Sequence, residues 1–206
     1  MSSIRLVCFL AICSAIAAPA ASAATQRQVA ALILAEGAVY LDDELVGALS
    51  SAVVLRDSAT VRTAGGRAIV ALKHGGVLAL NEQTRVRVLA NGVYNFNRVE
   101  ILEGAAVVIS DASSPVVSCL SDTRLSSEGI FRFDVQQARP NGTAVCRFRV
   151  SDGAAAVPLP SVIAVLRSGQ AMGLDPTCGD MIPTTNFALE QMDDFDRWSR
   201  QHTIRP

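Results

Sequence analysis

Few side chains in this 206-residue chain are of the kinds that do covalent or acid–base chemistry, and their spacing limits what they can do. Only two histidines are present, His74 and His202. A serine or cysteine nucleophile needs a histidine beside it that a third group orients, and no Gly-x-Ser-x-Gly elbow exists to present such a serine. His74 falls in a predicted hairpin turn and His202 near the C-terminus, both outside any motif. Asp42-Asp43-Glu44 is the densest acidic cluster of the β region. Calcium takes several oxygen ligands, but the Asp-x-Asp-x-Asp-Gly loop is missing, so a solvated turn accounts for the cluster. Asp193, Asp194 and Asp196 read as the wet face of a helix. Paired carboxylates for glycoside hydrolysis depend on a separation set in three dimensions, and nothing in the sequence singles out a pair. Asn141-Gly142-Thr143 fits a glycosylation site but is read as an ordinary turn. No catalytic constellation, cofactor motif or metal-ligand spacing emerges, and the expectation is a non-catalytic protein without a cofactor.

The first residues address the compartment. Arg5 precedes an apolar run from Leu6 to Ala18, and Ala21-Ser22-Ala23 supplies the small-x-small pattern of a signal-peptidase site. The run is shorter than the ~20 residues that cross a bilayer, so no retained membrane anchor is expected. Leu10-Ala11-Ile12-Cys13 approaches a lipoprotein motif, but Ile12 stands where a small residue is required. The expectation is a leader over 1–23 and a periplasmic or secreted location. Losing Arg5 with that leader takes the formal charge from −1 to −2, which offers no basic field to nucleic acid. Lys73 is the only lysine; the other basic residues are arginines.

These residues need strands to position them. From Glu36 to Ile109, short runs of valine, leucine, isoleucine and alanine alternate with polar residues, cut by turns at Gly65-Gly66, Gly75-Gly76, Asn91-Gly92 and Gly104. Thr84-Arg85-Val86-Arg87-Val88 sets two arginines on one face and two valines on the other, as a half-buried strand requires. A second block continues from Pro115 to about Leu174. Cys119–Leu125, Gly129–Val135 and Thr143–Val150 read as a three-stranded meander, with Phe131, Phe133 and Val135 on one face complemented by Phe148 and Val150. Ser161–Leu166 and Gln170–Leu174 follow as two further strands. Near the end, Pro183-Thr184-Thr185-Asn186 reads as a helix start, and Leu189, Met192, Phe195 and Trp198 recur at i+3 spacing. The prediction is an all-β stack or roll of short antiparallel strands with a short C-terminal amphipathic helix. Its organisation is a leader over 1–23, a β domain over 24–112, a second β block over 113–182 continuous with the first, and a helical tail over 183–206.

Three cysteines lie beyond the leader, Cys119, Cys146 and Cys178, without CxxC spacing. An oxidising compartment favours one disulfide among them. In the predicted meander, Cys119 sits opposite Gln136 and Cys146 opposite Val135, on strands flanking the central one. That places them two strand spacings apart, roughly 10 Å, beyond the ~7 Å that a disulfide tolerates between Cα atoms. The expected bridge therefore includes Cys178, with Cys119 as its partner.

With the strands laid out, the segment from Thr63 to Val108 resembles the FecR domain, the periplasmic part of regulators of iron-citrate uptake. The family pattern is a threonine, an alternating strand, a glycine turn, a second strand ending near a threonine, and a hydrophobic strand closing in glycine. Here it reads Thr63-Ala64-Gly65-Gly66-Arg67-Ala68-Ile69-Val70-Ala71-Leu72, then Gly75-Gly76-Val77-Leu78-Ala79-Leu80-Asn81-Glu82-Gln83-Thr84-Arg85-Val86-Arg87-Val88, then Val99-Glu100-Ile101-Leu102-Glu103-Gly104. His74 stands where the family's turn carries aspartate, and the regulators' cytoplasmic segment and transmembrane helix have no counterpart. The tail Asp194-Phe195-Asp196-Arg197-Trp198 is similar to one that follows FecR-like domains in secreted bacterial proteins. The resemblance implies the fold, the compartment and a binding or scaffold role toward an envelope protein or glycan. An envelope enzyme or a lipid or glycan carrier is the alternative, and signalling through a separate membrane regulator is a third. Phe195 and Trp198 are the interaction candidates, expected to dock on the β unit or on a partner.

Overall fold

The computed structural model describes residues 27–47, 49–73, 75–90, 97–111, 115–126, 128–136, 145–174, 182–187 and 192–203. Along the chain these form β1 (Gln28–Glu36), β2 (Val39–Leu41), β3 (Glu44–Val46), β4 (Val53–Arg56), β5 (Ala59–Thr63), β6 (Arg67–Leu72), β7 (Val77–Leu80), β8 (Arg85–Ala90), β9 (Asn97–Ser110), β10 (Val116–Cys119), β11 (Ser121–Leu125), β12 (Gly129–Gln136), β13 (Val145–Asp152), β14 (Ala154–Pro158), β15 (Ile163–Arg167), β16 (Gln170–Leu174), β17 (Ile182–Asn186) and one helix, α1 (Asp194–Thr203). The protein is all-β with a short C-terminal helix, as the alternation predicts.

The strands build two sheets. Sheet A runs β4-β1-β6-β7-β9-β12-β13-β16-β17, and sheet B runs β3-β2-β5-β8-β9-β10-β11-β14-β15. Pairing is antiparallel except between β9 and β10. Strand β9 stands at the middle of both. Its first half pairs with β8 and β10 in sheet B, and its second half with β7 and β12 in sheet A. Alternation then sends one face of each strand between the sheets: Val70, Leu78, Leu80, Val86, Val88, Val99, Val108, Phe131, Phe133, Phe148 and Val150 are fully excluded from solvent. The Phe133 and Phe148 rings stack with centroids 4.6 Å apart, a geometry that adds to the area they bury.

The turn from one sheet to the other is made at Gly104, with φ +85°. A Cβ there would come within 2.4 Å of the Gln83 carbonyl oxygen and 2.5 Å of the Thr84 Cα, so only glycine fits. Two buried threonines complete the crossing. The Thr84 amide donates to the Thr63 hydroxyl oxygen at 3.0 Å, and the Thr63 hydroxyl donates to the Asn81 carbonyl at 2.5 Å. The Ala105 amide donates to the Thr84 hydroxyl oxygen at 3.0 Å. Backbone groups that the bend removes from the ladder are satisfied by these side chains, as buried polar groups require.

Three expectations need correction. Residues 183–186 do not start a helix; they lie in β17, which pairs with β16 at the edge of sheet A. Pro183 falls at a register shift on that edge, a place where strands tolerate proline. The helix begins only at Asp194, Met192 precedes it, and Leu189 lies outside the described residues. The meander is also broken: β12 pairs with β9 and β13, not β11. The chain kinks at Leu120 (φ +66°) and changes sheet after Leu125. That changes the disulfide. Cys146 does face Val135 as expected, but Cys119 ends β10 in sheet B and lies across the sandwich from it. The two are bridged, with Cα atoms 6.1 Å apart. Cys178 lies outside the described residues and is not the partner of Cys119.

Two outcomes follow from the crossing and the bridge. Gly104→Ala should cost about 2–4 kcal/mol in urea unfolding, because both the positive φ and the close backbone contact resist a side chain. A variant within about 0.5 kcal/mol of wild type would show that the strand turns without this constraint. Peptide mapping without reduction should recover a 119-to-146 link. Replacing both cysteines with serine should lower stability by about 3.5 kcal/mol, the loop-closure expectation for a separation of 27 residues.

Candidate functional site

Helix α1 lies on the outer face of sheet A. Its Phe195 and Trp198 pack on Ile69, Ala79 and Val107, the outward residues of β6, β7 and β9. Both aromatic side chains are buried, so the structure places these interaction candidates inward, against the chain's own sheet. The indole Nε1 donates to Glu36 Oε2 at 3.1 Å. Arg67 bridges helix and sheet, bonding Asp194 Oδ2 at 2.7 Å with its guanidinium 5.3 Å from the centre of the Trp198 ring, a cation–π geometry.

The helix start is held by charge. Asp193 caps it: the Asp196 amide donates to Asp193 Oδ1 at 2.9 Å, and the Asp193 amide reaches Asp196 Oδ2 at 3.4 Å. This is a reciprocal capping box with aspartate in the third position. Beneath it, Arg132 on β12 is almost wholly buried and touches three carboxylates: Asp193 at 2.6 Å, Asp196 at 3.0 Å and Asp134 at 3.0 Å. Burial disfavours its charge, but the carboxylates of Asp134 and Asp196 and the hydrogen bonds to Asp134 and Asp193 outweigh that, raising its pKa above the ordinary arginine value. For Asp193, burial pushes the carboxyl up. The Asp196 amide, the bond from Arg132 and the charges of Arg132 and Arg149 outweigh it and hold the carboxyl below the ordinary aspartate range.

Beside the helix, the outward residues of β12 and β13 line a hollow of about 260 Å³: Arg132, Asp134, Gln136, Val145, Arg147 and Arg149. Period-two alternation puts them there, opposite the buried Phe131, Phe133, Cys146 and Phe148. Arg149 stands 3.7 Å from Asp134 and 3.9 Å from Asp196, and its Nε is buried without a hydrogen-bond partner among the described residues. Arg147 faces Asp134 across the ladder and Gly173 on the other side. It is exposed, and among the described residues it makes no ion pair. The site can hold an anion through guanidinium forks on a stiff sheet. Asp134 is the one carboxylate among its lining residues, and Arg132 binds it at 3.0 Å.

The other candidates from the sequence are not gathered here. Asp42 and Asp43 form the two-residue turn between β2 and β3 with positive φ, and Asp42 Oδ1 accepts the Thr60 amide at 2.8 Å. A second hollow, of about 530 Å³, is lined by Asp42, Leu55, Asp57 and neighbouring residues. The Asp57 carboxylate there already accepts the Ala90 amide. His202 sits on α1 with Nδ1 2.9 Å from the Trp198 carbonyl; His74 and Asn141-Gly142-Thr143 lie outside the described residues. No three His, Cys, Asp or Glu side chains among the described residues converge as a metal site. The arginine hollow was missed because Arg132 and Arg149 read as ordinary outward strand charges. The alternation of arginine with buried phenylalanine on two adjacent strands was the available signal.

No family model matches the sequence, and no curated protein matches it either. Two crystal structures of a "putative anti-sigma factor" from Parabacteroides distasonis, at 1.65 and 2.50 Å resolution, share the fold. Their TM-scores are 0.53 and 0.52 at 19% and 20% identity, with 64% and 63% of this chain covered. This chain matches 61% and 60% of those chains, about three fifths of their length.

The capping carboxylate makes helix docking sensitive to acid. Because the folded-state pKa of Asp193 is depressed, its contribution is fully present above the unfolded value of ~3.9 and is lost as pH falls through the lower folded value. Trp198 is the only tryptophan, so its emission reports the helix alone. Asp193→Asn keeps a cap but loses the charge facing Arg132, and should weaken docking by up to about 1 kcal/mol. Asp193→Ala loses both and should cost roughly 1 kcal/mol more. Emission as blue and as protected from quenchers in both variants as in wild type, at pH 7 and at pH 3, would show that the apolar contact alone holds the helix.

Proposed function

We propose that this protein is a non-catalytic recognition module of the bacterial envelope, serving extracytoplasmic signalling by binding an acidic segment of a protein partner in the arginine hollow of sheet A. The observation that carries this is Arg147, an exposed guanidinium that makes no ion pair among the described residues, beside Arg149 and the buried Arg132 in one shallow hollow. Arginine forks match carboxylates in a planar, bidentate way. A glycan would instead want aromatic platforms, and the rings that arginines of the hollow meet among the described residues are Phe187, 5.8 Å from the Arg149 guanidinium, and Phe195, 5.5 Å from that of Arg132 and itself buried under the helix. The arginines stand on strands whose inner faces are locked by Phe133–Phe148 stacking and by the Cys119–Cys146 bridge, which favours preorganised binding.

The compartment reading rests on the leader expected over 1–23 and is supported by the disulfide, a bond that persists in oxidising environments. The signalling version draws support from the shared fold with the "putative anti-sigma factor" of P. distasonis. The expected partner is a membrane-bound or envelope protein with a run of aspartate or glutamate.

A photo-crosslinking residue at Gln136 or Val145, read in intact cells, tests this. One protein should be captured from both positions, and Arg147→Glu should reduce capture at least tenfold, the penalty of one charge reversal in a desolvated contact. Equal capture by wild type and Arg147→Glu, or crosslinks to glycan alone, would overturn the reading.

A further inference from the structure

The free edge of sheet B carries a second contact surface. Strand β15 is the last of its sheet and pairs only with β14 among the described residues. The Leu159 amide donates to the Val162 carbonyl at 2.9 Å, which fixes the phase of the ladder. Bonded pairs alternate along an antiparallel hairpin, so Val157/Ala164 and Ala155/Leu166 exchange bonds, while Pro158/Ile163, Ala156/Val165 and Ala154/Arg167 do not. Pro158, with no amide, sits where none is needed. It follows that the amides and carbonyls of Ile163, Val165 and Arg167 point away from β14, out of the sheet. The Arg167 amide is taken by Gln170 Oε1 at 2.8 Å. Those of Ile163 and Val165 have no partner among the described residues, and their side chains are 65% and 60% exposed.

An edge of this kind is normally blunted by lysine, proline, a bulge or an inward charge. Between Ile163 and Arg167 none of these occurs. The geometry points to a second copy of this chain as the occupant, with two β15 strands pairing antiparallel about a two-fold axis at Val165. The phase allows it. Val165 presents both its amide and its carbonyl outward, so the two copies exchange reciprocal Val165 bonds on the axis. Ile163 then donates to the partner's Arg167 carbonyl on each side, without disturbing the Gln170 contact. The charge pattern fits as well. Arg167 is the single charged residue of the strand, and in this register it falls opposite Ile163 of the other copy rather than opposite its own kind, laying its aliphatic stem over that side chain. The contact is isologous and closes on itself. An edge-only interface is smaller than the ~1,200 Å² of stable complexes, so the dimer is concentration-dependent. The arginine hollow lies on the other sheet and stays open, which keeps this inference independent of the proposed partner.

Sedimentation velocity of the full disulfide-bonded chain across a concentration series tests it. A monomer–dimer equilibrium is expected, with Val165→Lys weakening association at least tenfold while the far-ultraviolet circular dichroism, which reports the strands, stays unchanged. Val165→Cys should yield a covalent dimer under mild oxidation, since paired Cα atoms on the axis stand about 5.5 Å apart, within disulfide reach. A wild type that stays monomeric throughout the series, or a dimer indifferent to Val165→Lys, would overturn the proposal.

Discussion

The sandwich depends on one crowded contact, the passage of β9 over the Gln83–Thr84 backbone at Gly104. A strand in the middle of a sheet cannot leave it without stranding ladder groups, and β9 leaves one sheet for the other at the centre of both. The left-handed conformation turns it, the missing Cβ lets the two backbones touch, and the Thr63 and Thr84 hydroxyls take up the orphaned amides and carbonyls. Each half-strand is then free to recruit neighbours on both sides. That is why two sheets of such width share a continuous interior instead of forming separate units: Val99 and Val108, on opposite sides of the bend, belong to the same core.

The outer face of sheet A shows how apolar and ionic contacts divide the work of placing a helix. Phe195 and Trp198 provide the area, but Ile69, Ala79 and Val107 offer a smooth surface along which an aromatic pair could slide. Position comes from directed bonds: Arg132 to the capping turn, Arg67 to Asp194, and the indole to Glu36. A buried guanidinium among carboxylates adds little net stability once desolvation is counted. Its effect is to make one register of the helix satisfy every charge and the others leave charges stranded.

Much of this architecture was legible in the residues because alternation with period two is a local property. Arg85, Val86, Arg87 and Val88 divide between the two faces as their order implies, and so do Phe131, Arg132, Phe133 and Asp134. Thr63, Thr84 and Gly104 are also positions of the pattern on which the resemblance to the FecR domain rests, and the structure brings those residues together. What was not legible is which strand lies beside which. The register of Val135 with Cys146 followed from the turn between them, but the passage of the chain to the other sheet after Leu125 leaves no trace in period or composition. A Cys119–Cys146 distance computed within one sheet was therefore wrong in kind, since the bridge runs through the sandwich. The start of the helix was misplaced for a similar reason: threonine beside proline serves a helix N-terminus and an edge strand equally, and the pairing with β16 decides between them.

The same limit explains the arginine hollow. Arg132, Arg147 and Arg149 look alike in the sequence, each an outward residue on an alternating strand, yet the fold gives them different neighbours. Asp193 and Asp196 arrive from a helix some sixty residues further along and neutralise Arg132, while Arg149 stands only at the margin of that cluster, 3.9 Å from Asp196. Arg147 lies beyond reach of both, next to a glycine that contributes no side chain to shield it. A charge becomes available for recognition through what tertiary structure does not place beside it, so three equivalent residues separate, among the described residues, into an anchor, a support and a cation without an ion pair once the tail has docked.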